Sequence, residues 1–130
     1  MAHIATLTRA YLLANAPVAA LIATRMYPLL LPQNAVLPAV TYQVISDVHE
    51  LNQSEPGGLP VIRLQYTCWA DSYLAAQTLA AAIRVALDGF TGVMGSGSVG
   101  YAALDNMVDD YEPDTKKYRV LVDMKIQRSE

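Results

Sequence analysis

The chain has 130 residues, 53% of them apolar and only 16% charged, with a formal net charge of −3. That is one ordinary domain with the material for a real core, which excludes a disordered chain. The only adjacent basic pair, Lys116–Lys117, sits beside Asp114 and Glu112, so clustered cations for phosphate neutralisation are missing and specific nucleic-acid recognition is excluded as the main activity. A surface this poor in charge is also a sign of assembly.

Residues 3 to 14 predict a first helix, with Ile4, Leu7, Ala10, Tyr11 and Ala14 as its apolar stripe and Leu12 and Leu13 widening it. Asn15-Ala-Pro stops it, and Pro17 at a first helical position predicts a second short helix through Ile22. Pro28 and Pro32 then exclude a central strand from residues 25–33, leaving an edge strand or an extended connection. Ala39 to Ser46 alternates and predicts a strand.

Asp47 to Pro60 breaks the pattern. It holds Asp47, His49, Glu50, Asn52, Gln53, Ser54 and Glu55, followed by Pro56-Gly-Gly and Pro60. A hairpin needs only a two-residue turn, so a polar connection this long is either a loose tip or an arm that orders on a partner surface.

Val61 to Trp69 alternates again, with Ile62, Leu64, Tyr66 and Cys68 facing a core. Asp71 or Ser72 caps a long helix whose stripe runs Tyr73, Ala76, Ala80, Ile83 and Leu87, and Gly89 ends it as a left-handed residue. The glycine-rich residues 91–100 read as a flexible connector: Gly95-Ser-Gly-Ser-Val-Gly lacks the Gly-Lys-Ser/Thr ending of a phosphate loop and precedes a strand rather than a helix. Val99 to Met107 is a weaker strand, Asp109 to Asp114 an acidic turn, and Tyr118 to Gln127 a closing strand with the cleanest alternation in the chain. The expected architecture is α+β, a single domain over residues 1–130. Its mostly antiparallel sheet of four to five strands carries one long helix and the N-terminal helices on one face.

Chemistry is sparse. Cys68 is the single cysteine, which leaves no partner for an internal disulfide, and its strand parity makes it a core residue. His3 and His49 have no ligand at a spacing of three or four. The acidic cluster Asp105, Asp109, Asp110, Glu112 and Asp114 lacks the central glycine and twelfth-position glutamate of a calcium loop, and reads as a solvated acidic hairpin. Tyr66 and Trp69 have no basic flanks to make a base-stacking platform and read as core. No nucleophile, acid–base pair, metal or cofactor site emerges, so the expectation is a protein that is not an enzyme and needs no cofactor. The uncharged stretches 10–24 and 26–46 are broken by prolines, and no basic segment precedes the first. A soluble protein made in a cytoplasm, with no membrane partner, is expected.

Two blocks carry a family resemblance. One is Arg25-Met-Tyr-Pro-Leu-Leu-Leu-Pro-Gln-Asn with Leu37-Pro-Ala-Val-Thr-Tyr-Gln. The other is Leu64-Gln-Tyr-Thr-Cys-Trp-Ala-Asp-Ser-Tyr with the Ala/Leu-rich run to Phe90. Together with the N-terminal Ala-Pro-Val-Ala-Ala-Leu turn, the acidic turn and the final Tyr-Arg-Val strand, their order resembles the tail-completion or tail-terminator proteins of long-tailed bacteriophages and prophages. The resemblance spans nearly the whole chain, residues 91–100 excepted.

It implies a structural virion protein that caps the head-proximal end of the tail tube as a homo-oligomeric ring, usually a hexamer. The cap ends tail polymerisation and joins tail to head. The implied partners are further copies of itself, the tail tube protein and a head-completion or neck protein, in the neck of a virion assembled in the host cytoplasm. A head-closure or connector subunit is the nearest alternative, and a small ligand- or cation-binding domain a more distant one. No family residue carries over singly. From the chain itself, Asp47, His49, Glu50, Asn52, Gln53 and Glu55 in the long loop, and Asp109, Asp110 and Glu112 in the acidic turn, are the candidate partner-binding residues. Segment 25–32 or strand 99–107 is the candidate edge for sheet addition between copies.

Overall fold

Three helices pack on one face of a six-stranded sheet in a computed structural model that describes residues 3–48 and 61–128. The elements are α1 (Ile4–Ala14), α2 (Ala16–Ile22), β1 (Met26–Pro28), β2 (Ala39–Val48), β3 (Val61–Ala70), α3 (Tyr73–Leu87), β4 (Gly92–Met94), β5 (Gly97–Glu112) and β6 (Lys117–Arg128). The strand order is β1-β2-β3-β6-β5-β4. Every pair is antiparallel except β1–β2.

The two best-patterned strands are the central ones. Along β3, Ile62, Leu64, Tyr66, Cys68 and Ala70 are buried, and along β6, Val120, Val122, Met124 and Ile126. Both sets face α3, which buries Ala76, Leu79, Ala80, Ile83 and Leu87 against them. The Ser72 hydroxyl accepts from the Ala75 N–H at 3.2 Å, which selects Ser72 over Asp71 as the cap. Past the helix, Gly89 takes φ +87° and donates its N–H to the Ala102 carbonyl, so the chain turns straight back onto β5.

The N-terminal helices cover the rest of that face. Helix α1 buries Ile4, Leu7, Thr8 and Leu12, whereas Ala10 and Ala14 of the expected stripe are exposed. Thr8 is tolerated in the core because its hydroxyl donates to the carbonyls of Ile4 and Ala5, and accepts from the buried Tyr66 phenol at 2.8 Å. Asn15 caps α2 through the Val18 N–H, and the two helices bend by 86°. No single described helix is long and apolar enough to cross a membrane.

Three expectations need correction. The sheet has six strands, not four or five: β1 is the edge strand that residues 25–33 allowed, and one further three-residue strand escaped the pattern. It is β4, inside the supposed glycine-rich connector: Gly95 at φ +59° and Ser96 form a two-residue loop that pairs Met94 with Gly97. The acidic turn is mostly strand, since β5 runs through Asp109, Asp110, Tyr111 and Glu112, and the reversal comes at 113–116. Strand β2 extends through Asp47 and Val48, which pair with Ile62 and Val61.

Candidate assembly surface

Because all three helices lie on one face, the other face of β2, β3, β6 and β5 is bare of helix. Its side chains have the opposite parity to the core: Thr41 and Gln43 on β2, Arg63, Gln65, Thr67 and Trp69 on β3, and Arg119, Leu121, Asp123 and Lys125 on β6. They form a cross-linked polar layer. Gln65 donates to Asp123 at 3.0 Å, and Asp105 of β5 pairs with Arg63 at 2.7 Å and Lys125 at 3.6 Å. Gln65–Asp123 and Lys125–Asp105 join neighbouring strands, while Arg63 reaches across β6 to Asp105.

Trp69 is at one end of this face. Its ring was expected in the core, but it shares the parity of Arg63, Gln65 and Thr67. Its indole N–H donates to the Thr41 hydroxyl at 3.0 Å, and the Arg119 guanidinium lies 5.2 Å from the ring centroid. Arg119 also reaches Asp110 at 2.5 Å, while its Nε, shielded from solvent, has no hydrogen-bond partner. The β1–β2 connection rims this corner. Leu29, Leu30 and Leu31 overhang a cleft of about 450 Å³ floored by Thr67, Trp69 and Arg119. A second hollow of about 520 Å³ continues past Trp69 to Glu112, Asp114 and Lys117. Tryptophan and arginine are the side chains most enriched at the centres of protein–protein contacts.

Leu29 and Leu30 are held outward by the backbone. Leu29 adopts a left-handed φ of +66°, donates its N–H to the Tyr42 carbonyl at 2.9 Å and is 67% exposed; Leu30 is 80% exposed. A branched apolar residue in that conformation is strained, and such strain persists where the surrounding structure imposes it.

The sequence-derived candidates divide sharply. Asp109 and Asp110 do not act together. Asp109 pairs with Val120 on the helix side and accepts from the Tyr73 hydroxyl at 2.9 Å and from the Gln77 amide. Asp110 pairs with Arg119 on the open side. The Tyr111 N–H first, and Arg119 second, hold the Asp110 carboxyl below its usual range. Glu112 closes β5 opposite Lys117 and accepts from the Asp114 N–H. Asp47 lies at the far end of β2, and His49, Glu50, Asn52, Gln53 and Glu55 lie outside the described residues. Among the described residues no three His, Cys, Asp or Glu side chains are grouped to hold a metal ion.

The edge expected over 99–107 is occupied. Strand β4 pairs with Gly97–Val99, and Phe90 accepts from Ala102. Beyond them the N–H groups of Leu104, Met107 and Tyr111 are satisfied by the side chains of Asp88, Asn106 and Asp110. Sheet addition there would have to displace them. On the opposite side, β1 pairs only with Val40–Tyr42 of β2.

No curated protein matches the sequence. Among solved structures, a chain of "Virion of native gene transfer agent (GTA) particle" has a similar fold, with a TM-score of 0.72 and 20% identity over 93% of this chain and 90% of that one. At that identity the likeness is one of fold. Residues 7–127 match the family described as "Tail completion protein gp17", and the chain belongs to that family.

Proposed function

We propose that the protein caps the head-proximal end of a phage-type tail tube as a ring, ending tube growth and presenting a surface to which the head joins. Membership of the tail-completion family makes it a structural tail protein. The observation that carries the finer reading is the extent of that match, which takes in every helix and strand of the fold apart from the first turn of α1 and the last residue of β6. The gene transfer agent virion supports it as an assembly in which this fold occurs.

The surface described above suits the role. A ring subunit needs two different complementary patches, since a repeated head-to-tail contact closes only when the surfaces differ. The open sheet face and the exposed helix layer are different in kind: one is polar and cross-linked, the other apolar. Partners on the tube and neck sides would be met by the Trp69–Arg119 corner and the 112–117 turn, which face away from the core. At that corner Arg119 pairs with Asp110 and Glu112 accepts from the Asp114 N–H, so the turn offers partners both hydrogen-bonding groups and negative charge.

Deleting the gene in the parent phage or particle, with electron microscopy of the products, tests this reading. Overlong tails, or finished tails that fail to join heads, are expected. Tails of normal length beside empty, leaking heads would overturn it in favour of head closure.

A further inference from the structure

Strand β5 is 16 residues long, yet β4 covers only Gly97–Val99 of its outer side. Both backbone groups of Ala102 are then taken by the chain leaving α3: its N–H donates to the Phe90 carbonyl at 3.0 Å, and its carbonyl accepts from the Gly89 N–H at 2.8 Å. Residues 104–112 run on with β6 on one side and no described strand on the other. They include Val108 and Tyr111, 48% and 44% exposed. A long edge that carries exposed, β-prone side chains is where a second chain would add to the sheet. The edge at β1 is different, being three residues long and ending in Pro28, which has no N–H.

Strand parity identifies the outward backbone groups of β5. Ala102 faces out, so Leu104 does too, and past the irregularity between Leu104 and Asn106 the row continues through Met107, Asp109 and Tyr111. Three of these N–H groups are already used. That of Leu104 donates to Asp88 Oδ1 at 3.0 Å, that of Met107 to Asn106 Oδ1 at 2.9 Å and that of Tyr111 to Asp110 Oδ1 at 2.8 Å. In the last two the acceptor belongs to the preceding residue, so the side chain lies along the edge and takes the place of an added strand's carbonyl. Asp109 puts a carboxylate, held by Tyr73 and Gln77, into the same row. Irregularities in the β5–β6 register at Val99/Tyr101 and Leu104/Asn106 interrupt the straight run that pairing with another strand needs.

We propose that the outer half of β5 is a locked edge: the side chains of Asp88, Asn106 and Asp110 occupy its outward N–H groups and keep copies of the chain from extending the sheet through it. Repeated addition through sheet edges would build an open filament, and with this edge closed the free chain stays discrete until it meets other surfaces. The inference concerns the free chain and does not depend on the ring reading.

The test uses the isolated full-length chain and the variant Asn106→Ala/Asp110→Ala, followed by sedimentation velocity over a concentration series and by amide hydrogen exchange at Met107 and Tyr111. At low concentration both amides should exchange at least about tenfold faster than in the native chain. As concentration rises the variant should associate and the same two amides should slow again, because an added strand covers them. Two controls separate the lock from its rivals. Asp110→Asn loses the charge but keeps the acceptor, and Leu7→Ala weakens the core with the edge intact; both should sediment as the native chain does. Association of Asp110→Asn equal to that of Asp110→Ala would overturn the proposal in favour of charge repulsion. Association of Leu7→Ala equal to that of the double variant would overturn it in favour of general unfolding. A double variant that folds and stays as discrete as the native chain would overturn it outright. If the double variant does not fold, Asn106→Gln carries the test: it keeps the polarity while moving the acceptor away from the Met107 N–H, and unchanged exchange at Met107 would then overturn the proposal.

Discussion

Asp109 and Asp110 are neighbours in the chain that face opposite sides of the sheet, one bound by the Tyr73 hydroxyl and the other by Arg119. Their separation follows from strand parity, and it splits their roles. Asp110 has a folded pKa below its ordinary value. Its contribution to stability is therefore present above the unfolded carboxylate value of about 4 and is lost as pH falls through the folded value. Asp110→Asn should lower stability slightly near pH 7 and flatten the acid side of the profile by the same small amount, so that variant and native chain converge at low pH; the effect is small because the pair is solvent-exposed. Urea melts between pH 7 and pH 3 check this; an unchanged acid slope would refute it.

The Tyr66–Thr8 hydrogen bond ties the central strand to the first helix inside the core. Tyr66→Phe removes a donor and leaves Thr8 still bonded to the Ile4 and Ala5 carbonyls, so a loss of roughly 0.5–1.5 kcal/mol is expected. Thr8→Val strands the buried phenol and should cost about 1–3 kcal/mol. The double variant should then cost less than the sum, as denaturant midpoints will show. Strict additivity would mean that the bond is not formed.

What could be read in advance was what repeats. Strands β3 and β6 alternate and α3 carries a helical stripe, because each buries one whole face in the core, and these were legible residue by residue. Strand β4 is three residues long and bounded by glycine, too short to show a period; β1 is equally short, and only its prolines marked it as an edge. Strand β5 buries only Val99 and Ala102, so its outer half alternates weakly and its acidic residues passed for a turn. The assembly surface was harder still. Trp69 has the parity of Arg63, Gln65 and Thr67, and that signal pointed outward. But its pairing with Arg119 depends on the β3–β6 register, set by residues 50 positions apart in the chain, which local patterning does not contain.

Leu29 is in a conformation that costs a branched residue about 1–2 kcal/mol and that asparagine tolerates much better. The side chain is mostly solvent-exposed, so little packing is lost on replacement. Leu29→Asn should raise the melting temperature of the isolated chain by a few degrees, measured by thermal denaturation. A lower melting temperature would show that the Leu29 side chain supports the fold in this conformation.

Cys68 is fully buried, and burial pushes its thiol pKa well up from the ordinary value. The native chain should therefore resist thiol reagents at neutral pH, and labelling should occur only through opening of the β2–β3–β6 sheet. Its rate should rise with urea in step with unfolding. Rapid labelling without denaturant would contradict the core placement.

Gly97 lies in β5 at a negative φ, so its backbone would accept alanine, but an added Cβ would come within 2.8 Å of the Leu7 Cδ1. Gly95 differs: its φ of +59° makes any side chain strained, and a Cβ there would meet Leu7 Cδ2 at 3.1 Å. Gly97→Ala should cost about 1–3 kcal/mol through overpacking alone. Leu7→Ala should cost about 2–5 kcal/mol by itself, because Leu7 is only 7% exposed and leaves a cavity. In the double variant the new methyl group enters that cavity, so the combined loss should fall short of the sum by at least about 0.5 kcal/mol. The same cycle on Gly95→Ala should show weaker coupling, since most of its cost is conformational and the loss of Leu7 does not relieve it. Equal coupling in the two cycles would mean that Leu7 does not close over the β4–β5 hairpin as described.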